Sequence, residues 1–197
     1  MKDKKNLLDY EKRKYEKIWS FPDYREGICP GRLLLQRIPV MQRFKSHKIK
    51  TLLDAGCGEG TALKLIKREM PELEVMGMDI ASNSIDPRLK DIFTEGCLWN
   101  MTDYPKEVDA IFCSDVLEHI PEEKVDDVLF NFSNLSRKLI VLSISFDEDL
   151  FGQKLINEPL HLTVKDVFWW MEKLSHLDMK VDCGRIVSNN LDVLLVK

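Results

Sequence analysis

The chain has 197 residues, a net charge of −4, and 44% hydrophobic and 31% charged residues, a size and balance that suit one packed domain and exclude wholesale disorder. Its five cysteines lie without any Cys-x-x-Cys pair, which excludes a disulfide framework or a zinc knuckle and predicts reduced, mostly buried thiols. No apolar segment has signal-peptide or membrane-spanning length, so a cytoplasmic protein without a membrane partner is expected.

In chain order, Leu7, Leu8, Tyr15, Ile18 and Trp19 recur at close to helical spacing among Lys and Glu, which predicts an amphipathic helix over residues 7–19. The following FPDYREGICPG contains two prolines and two glycines, so it reads as a loop that could serve as a lid. A second helix is expected over residues 32–44. Residues 1–50 hold 14 Lys/Arg against 6 Asp/Glu, and the remainder 15 against 27, so the two parts carry +8 and −12. Arg32, Arg37, Arg43, Lys45, Lys48 and Lys50 form a stretch without acidic residues. It reads either as a solvated helix face or as a surface for a phosphate-bearing partner.

After Lys50 the pattern becomes short apolar runs alternating with helical ones: TLLDA, TALKLIKREM, ELEVMGMDI, a brief helix near residues 84–90, DIFTE, VDAIFCSD, a helix from Pro121 to about Leu135, and KLIVLSISF. This βα rhythm predicts a buried parallel sheet. Pro121 suits a first helical position. Thr163 with Asp166 resembles a capping box opening a helix to about Ser175. The tail gives two strands around Ser188-Asn189-Asn190, where Asn tolerates positive φ. The division expected is a single domain over 1–197, with residues 1–49 as a helical and lid segment and 50–197 as the core.

The strongest motif is LLDAGCGEG, residues 52–60, placed after a strand and before a helix. Gly56, Gly58 and Gly60 allow a tight turn and close backbone approach to a ligand, and the helix start supplies unpaired N–H groups. Asp79, at the end of the next strand and about 20 residues on, can accept hydrogen bonds from ribose hydroxyls. The competing reading is a plain strand-to-helix turn with Asp79 as a helix cap. Dinucleotide enzymes favour G-x-G-x-x-G, whereas this loop is Asp-x-Gly-x-Gly-x-Gly.

That loop, with GCLWNM after the third strand and SDVLEHIP at the end of the fourth, resembles the class I S-adenosylmethionine-dependent methyltransferases over about residues 50–197. The resemblance implies an α/β fold, a Rossmann-like three-layer α/β/α sandwich whose mostly parallel seven-stranded sheet ends in an antiparallel C-terminal hairpin strand. It implies S-adenosylmethionine as cofactor, with Gly56, Cys57 and Gly58 near its amino-acid portion and Asp54 orienting the ammonium. Asp79 and Ile80 would lie at the ribose, Cys97, Leu98 and Trp99 at the adenine, and Asp115 and Val116 beneath the methyl donor. Tyr24 and Gly31 would belong to a lid.

Methyl transfer to a cationic sulfonium's partner needs an aligned acceptor and a dry site, and hydroxyl acceptors usually need a base as well. His161, in EPLHLT, occupies a place similar to a histidine near the acceptor in several family members, and is the preferred base; His119, in LEHIP, is the second. Their spacing with nearby carboxylates matches no recognisable metal motif, so no metal ligands are assigned, and any metal requirement is not readable from the sequence. Neither an Asn/Asp-Pro-Pro-Tyr/Phe string nor a Pro-Cys dipeptide occurs, which disfavours adenine-N6 and cytosine-C5 chemistry. The reading is a methyltransferase acting on an O or N atom of a small-molecule or carbohydrate-like acceptor. The alternatives are an RNA or DNA methyltransferase using the basic N-terminal surface, and a non-catalytic cofactor-binding partner subunit.

Overall fold

Along the central strands, continuously buried side chains point alternately to the two sides of the sheet. In the computed structural model, which describes residues 2–27, 29–101 and 107–197 and only the backbone of 2–6, Leu53, Ile111, Cys113, Ile140, Leu142 and Val193 face one core while Leu52, Ala110, Phe112, Leu139, Val141 and Leu194 face the other. The period of two, with both faces apolar, is what a sheet covered on both sides requires.

The elements are α1 (Lys2–Ile18), α2 (Pro22–Arg25), α3 (Pro30–Arg37), α4 (Val40–Ser46), β1 (Thr51–Ala55), α5 (Thr61–Glu69), β2 (Glu74–Asp79), β3 (Phe93–Glu95), β4 (Val108–Ser114), α6 (Glu122–Leu135), β5 (Ser136–Ser145), α7 (Phe151–Ile156), α8 (Val167–Ser175), β6 (Lys180–Val187) and β7 (Asn190–Val196), with short 3-10 turns at Pro87–Ile92 and Leu117–His119. The strands lie in the order β3-β2-β1-β4-β5-β7-β6. All pairs are parallel except β5 with β7 and β7 with β6. This is the expected seven-stranded sheet with its antiparallel C-terminal hairpin. One face carries α6 and α8 through Val128, Phe132, Trp170 and Leu174; the other carries α3, α4 and α5 through Leu34, Phe44, Leu63 and Ile66.

Strand order reverses at β1, with β2 on one side and β4 on the other. The crevice beyond the C-terminal ends of β1 and β4 is therefore the topological switch point, the place where open α/β sheets bind ligands. The turn leaving β1 is built for close approach: Gly56 has φ +78, and a Cβ there would sit 2.3 Å from Val116 Cγ2. Gly56→Ala is expected to cost about 2 kcal/mol or more from left-handed backbone plus that clash, read as a lowered Tm; an unchanged Tm would contradict this packing.

Four local expectations need correction. The helix expected over 32–44 is two helices, because Pro39 disfavours helical geometry at Ile38, which is extended at φ −125, ψ 156. Pro121 is the residue before α6 rather than its first helical residue. Asp166 caps α8 alone, accepting from the Trp169 N–H at 2.9 Å, whereas the Thr163 hydroxyl donates 2.6 Å to the Ile120 carbonyl. In the last hairpin the positive φ falls on Ser188, at +54, and not on an Asn. The basic stretch is partly consumed within the fold: Arg37 pairs with the buried Asp192 at 2.8 Å and Arg43 with Asp182 at 3.0 Å. All five cysteines are free thiols, three of them buried. Among the described residues no helix is long and apolar enough to cross a membrane.

Candidate functional site

The glycine turn is fastened to β2, with the Gly56 and Cys57 N–H groups both donating to the Met78 carbonyl, at 2.8 and 2.9 Å. Asp79 closes the other side: its carboxylate accepts from the Gly58 N–H at 2.9 Å and the Ala81 N–H at 3.0 Å. No helix starts at Ala81, so Asp79 closes a turn and caps no helix, and each of its oxygens keeps a further acceptor position. Asp54, at the end of β1, is buried at 3% exposure, and its Oδ2 has no hydrogen-bond partner. Burial, reinforced by the neighbouring charge of Asp79, pushes the Asp54 carboxyl up to about 8. Burial raises Asp79 to about 6 against the N–H donors that favour its charge.

Two adjoining cavities, of about 100 and 700 Å³, run along these strand ends and share Trp19, Tyr24, Gly56, Asp115 and His119. The smaller is lined by Ile80, Leu98, Trp99, Val116 and Ile120 together with the carboxylates of Glu11, Asp79 and Asp115, an apolar slot edged by acidic groups. The larger is lined by Asp54, Cys57, Gly58, Gly31, Ser145, Asp147 and His161, among others. Every site residue named from the sequence lines one of the two except Gly60 and the buried Cys97, which line neither. Asp115 holds φ +61, a backbone cost borne at the point where the cavities meet.

The roof comes from the N-terminal segment, which periodicity reads as a helix without revealing what it covers. A Cβ on Gly58 would lie 2.8 Å from the Trp19 indole, so the ring rests directly on the glycine turn. Trp19 and Tyr24 meet edge to face at 4.9 Å. Arg25 holds this roof down: its Nε donates 2.7 Å to the Trp19 carbonyl, its guanidinium donates 3.0 Å to the Ser84 carbonyl and also bonds Asn83, and it lies 3.7 Å from Glu59. Tyr10 reaches Glu158 beyond α7, and Ile18 packs with Ile156 and Leu160.

His119 and His161 meet at the open end with ring centroids 4.6 Å apart and planes nearly perpendicular. The loop carrying His161 is fastened to the turn carrying His119, because the Leu162 and Thr163 N–H groups donate to the Glu118 carbonyl at 2.8 and 2.9 Å. His161 Nδ1 lies 2.6 Å from the Asp147 carbonyl, and His119 Nδ1 lies 3.1 Å from the Leu160 carbonyl and 2.8 Å from the Tyr15 hydroxyl. A carbonyl only accepts, so the His161 bond to Asp147 uses a proton on Nδ1, whereas His119 Nδ1 either donates to the Leu160 carbonyl or accepts from the Tyr15 hydroxyl. Burial lowers His119 to about 4, which keeps that ring neutral. Glu118 is fully buried; one oxygen accepts from the Ser145 N–H at 2.7 Å, and burial, then Asp115, drives its carboxyl well above the usual carboxylate range.

Residues 53–138 match the family model described as "Methyltransferase domain". The chain is 24% identical over 170 residues to a trans-aconitate 2-methyltransferase of Rhodopseudomonas palustris, covering 80% of this chain and 60% of that protein. It is 25% identical over 160 residues to one from Afipia carboxidovorans, covering 76% and 56%. It thus spans somewhat over half the length of the curated relatives it matches. Among solved structures, magnesium protoporphyrin IX methyltransferase from Synechocystis PCC 6803 with bound SAH superimposes with a TM-score of 0.71 at 15% identity, over 99% of both chains. The PH0226 protein of Pyrococcus horikoshii OT3 does so with a TM-score of 0.67 at 15% identity, over 89% of this chain and 95% of that one. These structural likenesses establish the fold.

Proposed function

We propose that this chain is a class I S-adenosylmethionine-dependent methyltransferase that transfers a methyl group to a small-molecule acceptor, a reading supported by the methyltransferase-domain match over residues 53–138 and by the strand order. The observation carrying this reading is the pair of buried carboxylates, Asp54 and Asp79, at adjacent strand ends of one cleft, with Asp54 Oδ2 left without a partner. An ammonium group fits that orphaned oxygen, and two ribose hydroxyls fit the remaining acceptor positions of Asp79. Ile80, Leu98 and Trp99 offer the apolar slot an adenine would fill.

S-adenosylmethionine supplies an electrophilic methyl on a cationic sulfur. The chain's own contribution is alignment and exclusion of water. Asp54 and Asp79 fix the two ends of the cofactor, Gly56 lets it lie close to the sheet edge, and Trp19 and Tyr24 roof the cleft. The acceptor would enter the larger cavity, which His119 and His161 both line. Small carboxylic acids come first in an acceptor screen, because the curated relatives bear the name of trans-aconitate methyltransferases.

The test is release of S-adenosylhomocysteine on addition of small carboxylate, hydroxyl and amine acceptors. On any acceptor found, His161→Ala is expected to lower turnover about 100-fold or more while leaving cofactor affinity at the wild-type value. Unchanged turnover would remove His161 from the acceptor site.

A further inference from the structure

We propose that Glu118, His119 and His161 bind a divalent transition-metal ion at the open end of the cleft, with coordination positions left for an oxygen atom of the acceptor. This rests on the reading of that end of the cleft as the acceptor site. Glu118, His119 and His161 each offer a ligand atom, and these atoms lie within 4.8 Å of one another. Donors held about 2.0–2.2 Å from one ion stand roughly 3–4 Å apart, so a small closing movement completes the set.

Three independent features favour an ion over a plain polar cluster. Each ring has a carbonyl within hydrogen-bond reach of Nδ1, joined at His119 by the Tyr15 hydroxyl; with the proton on Nδ1 this is the outer-shell arrangement that orients metal-binding histidines and frees Nε2 for the ion. Glu118 is fully buried, yet its Oε2 has no partner, and among the described residues no Lys or Arg forms an ion pair with it. An oxygen without a partner at the end of a cleft is a position that a bound cation would satisfy. The frame is also rigid: the Glu118 carbonyl holds the Leu162 and Thr163 N–H groups, and Ser145 fixes the other carboxylate oxygen.

Two imidazoles and one carboxylate suit a first-row transition ion better than Mg²⁺ or Ca²⁺. Three protein ligands leave open positions, as in catalytic rather than structural sites. Those positions face the cleft, because His119 and His161 both line the larger cavity and His119 lines the smaller one as well. The motif escapes a spacing search because His161 is brought in by the loop after β5 and not by a local repeat.

Chelator-treated protein should be titrated calorimetrically with Mn²⁺, Zn²⁺ and Mg²⁺, and in parallel with S-adenosylhomocysteine. The expected result is one Mn²⁺ or Zn²⁺ per chain at micromolar affinity, with Mg²⁺ at least about tenfold weaker. His161→Ala, at a partly exposed position, and the isosteric Glu118→Gln should each weaken Mn²⁺ and Zn²⁺ by about tenfold or more while S-adenosylhomocysteine still binds. Failure of the wild-type chain to bind either ion while it binds S-adenosylhomocysteine would overturn the metal site and spare the cofactor reading. Ion binding unchanged in both variants would overturn it too. Ion binding lost in the variants, in a protein that never binds S-adenosylhomocysteine, would uphold the metal site and count against the cofactor.

Discussion

Asp79→Ala is expected to weaken S-adenosylmethionine binding about 100-fold or more. Hydrogen bonds to a charged acceptor contribute about 1.5–3 kcal/mol each, so losing two ribose contacts costs about 3 kcal/mol or more, and every 1.4 kcal/mol is tenfold in affinity. The substitution also strands the Gly58 and Ala81 N–H groups that Asp79 now satisfies, so a lower Tm is expected alongside. Asp79→Asn keeps a carbonyl acceptor for one of those N–H groups and turns its NH2 toward the other, so it should recover only part of the Tm and little of the affinity. Calorimetry with S-adenosylmethionine, paired with thermal melts, reads both. An Asp79→Ala chain that binds like the wild type would remove Asp79 from the cofactor site.

Asp54→Asn should move stability and affinity in opposite directions. In the free protein the Asp54 carboxyl is pushed up to about 8 by burial and by Asp79, against an unfolded value near 3.8, so the folded state holds a proton that the unfolded chain has already released at neutral pH. Through this group the stability of the free protein is fully present below about pH 3.8 and is lost as pH rises towards 8. Asp79, raised to about 6, contributes in the same direction over a narrower window. His119, lowered to about 4, acts oppositely: its stabilisation is present above about pH 6.5 and is lost as pH falls through 4. An amide at position 54 carries no charge penalty, so the variant is expected to gain about 1–3 kcal/mol at pH 7 and close to none at pH 4. For a chain this long each kcal/mol is worth about 2–4 °C in Tm.

The same substitution removes the carboxylate that would meet the cofactor's ammonium, so S-adenosylmethionine affinity should fall. In the wild type, that contact requires Asp54 to release its proton, and affinity should therefore rise with pH up to about 8. Melts of both proteins from pH 4 to 8, with binding at pH 6 and 8, test the pair of claims. Parallel Tm–pH profiles in the two proteins would show that Asp54 is not the strained group.

The parts of this site that were legible in the sequence are those encoded locally. Alternating apolar runs announce the strands, and the Asp54 to Gly60 loop with Asp79 announces the turn between β1 and β2, because each depends on neighbours within one βαβ unit. What was not legible depends on distant backbone. Trp19 reads as one more apolar residue of an amphipathic helix; only the placement of α1 over Gly58 makes it a roof. His119 and His161 read as separate candidates, and the backbone bonds from Leu162 and Thr163 to Glu118 are what join them. Thr163 looked like a helix cap because Asp166 follows three residues later, but its hydroxyl is committed to Ile120. Cys97 shares the GCLW string with Leu98 and Trp99, yet the chain turns it inward, away from both cavities.

Titration calorimetry of the purified protein with S-adenosylmethionine, S-adenosylhomocysteine and NAD tests the central claim most directly. Micromolar binding of the first two, with none of NAD, is the predicted result. Binding of NAD, or of none of the three, would contradict the assignment of this cleft to S-adenosylmethionine.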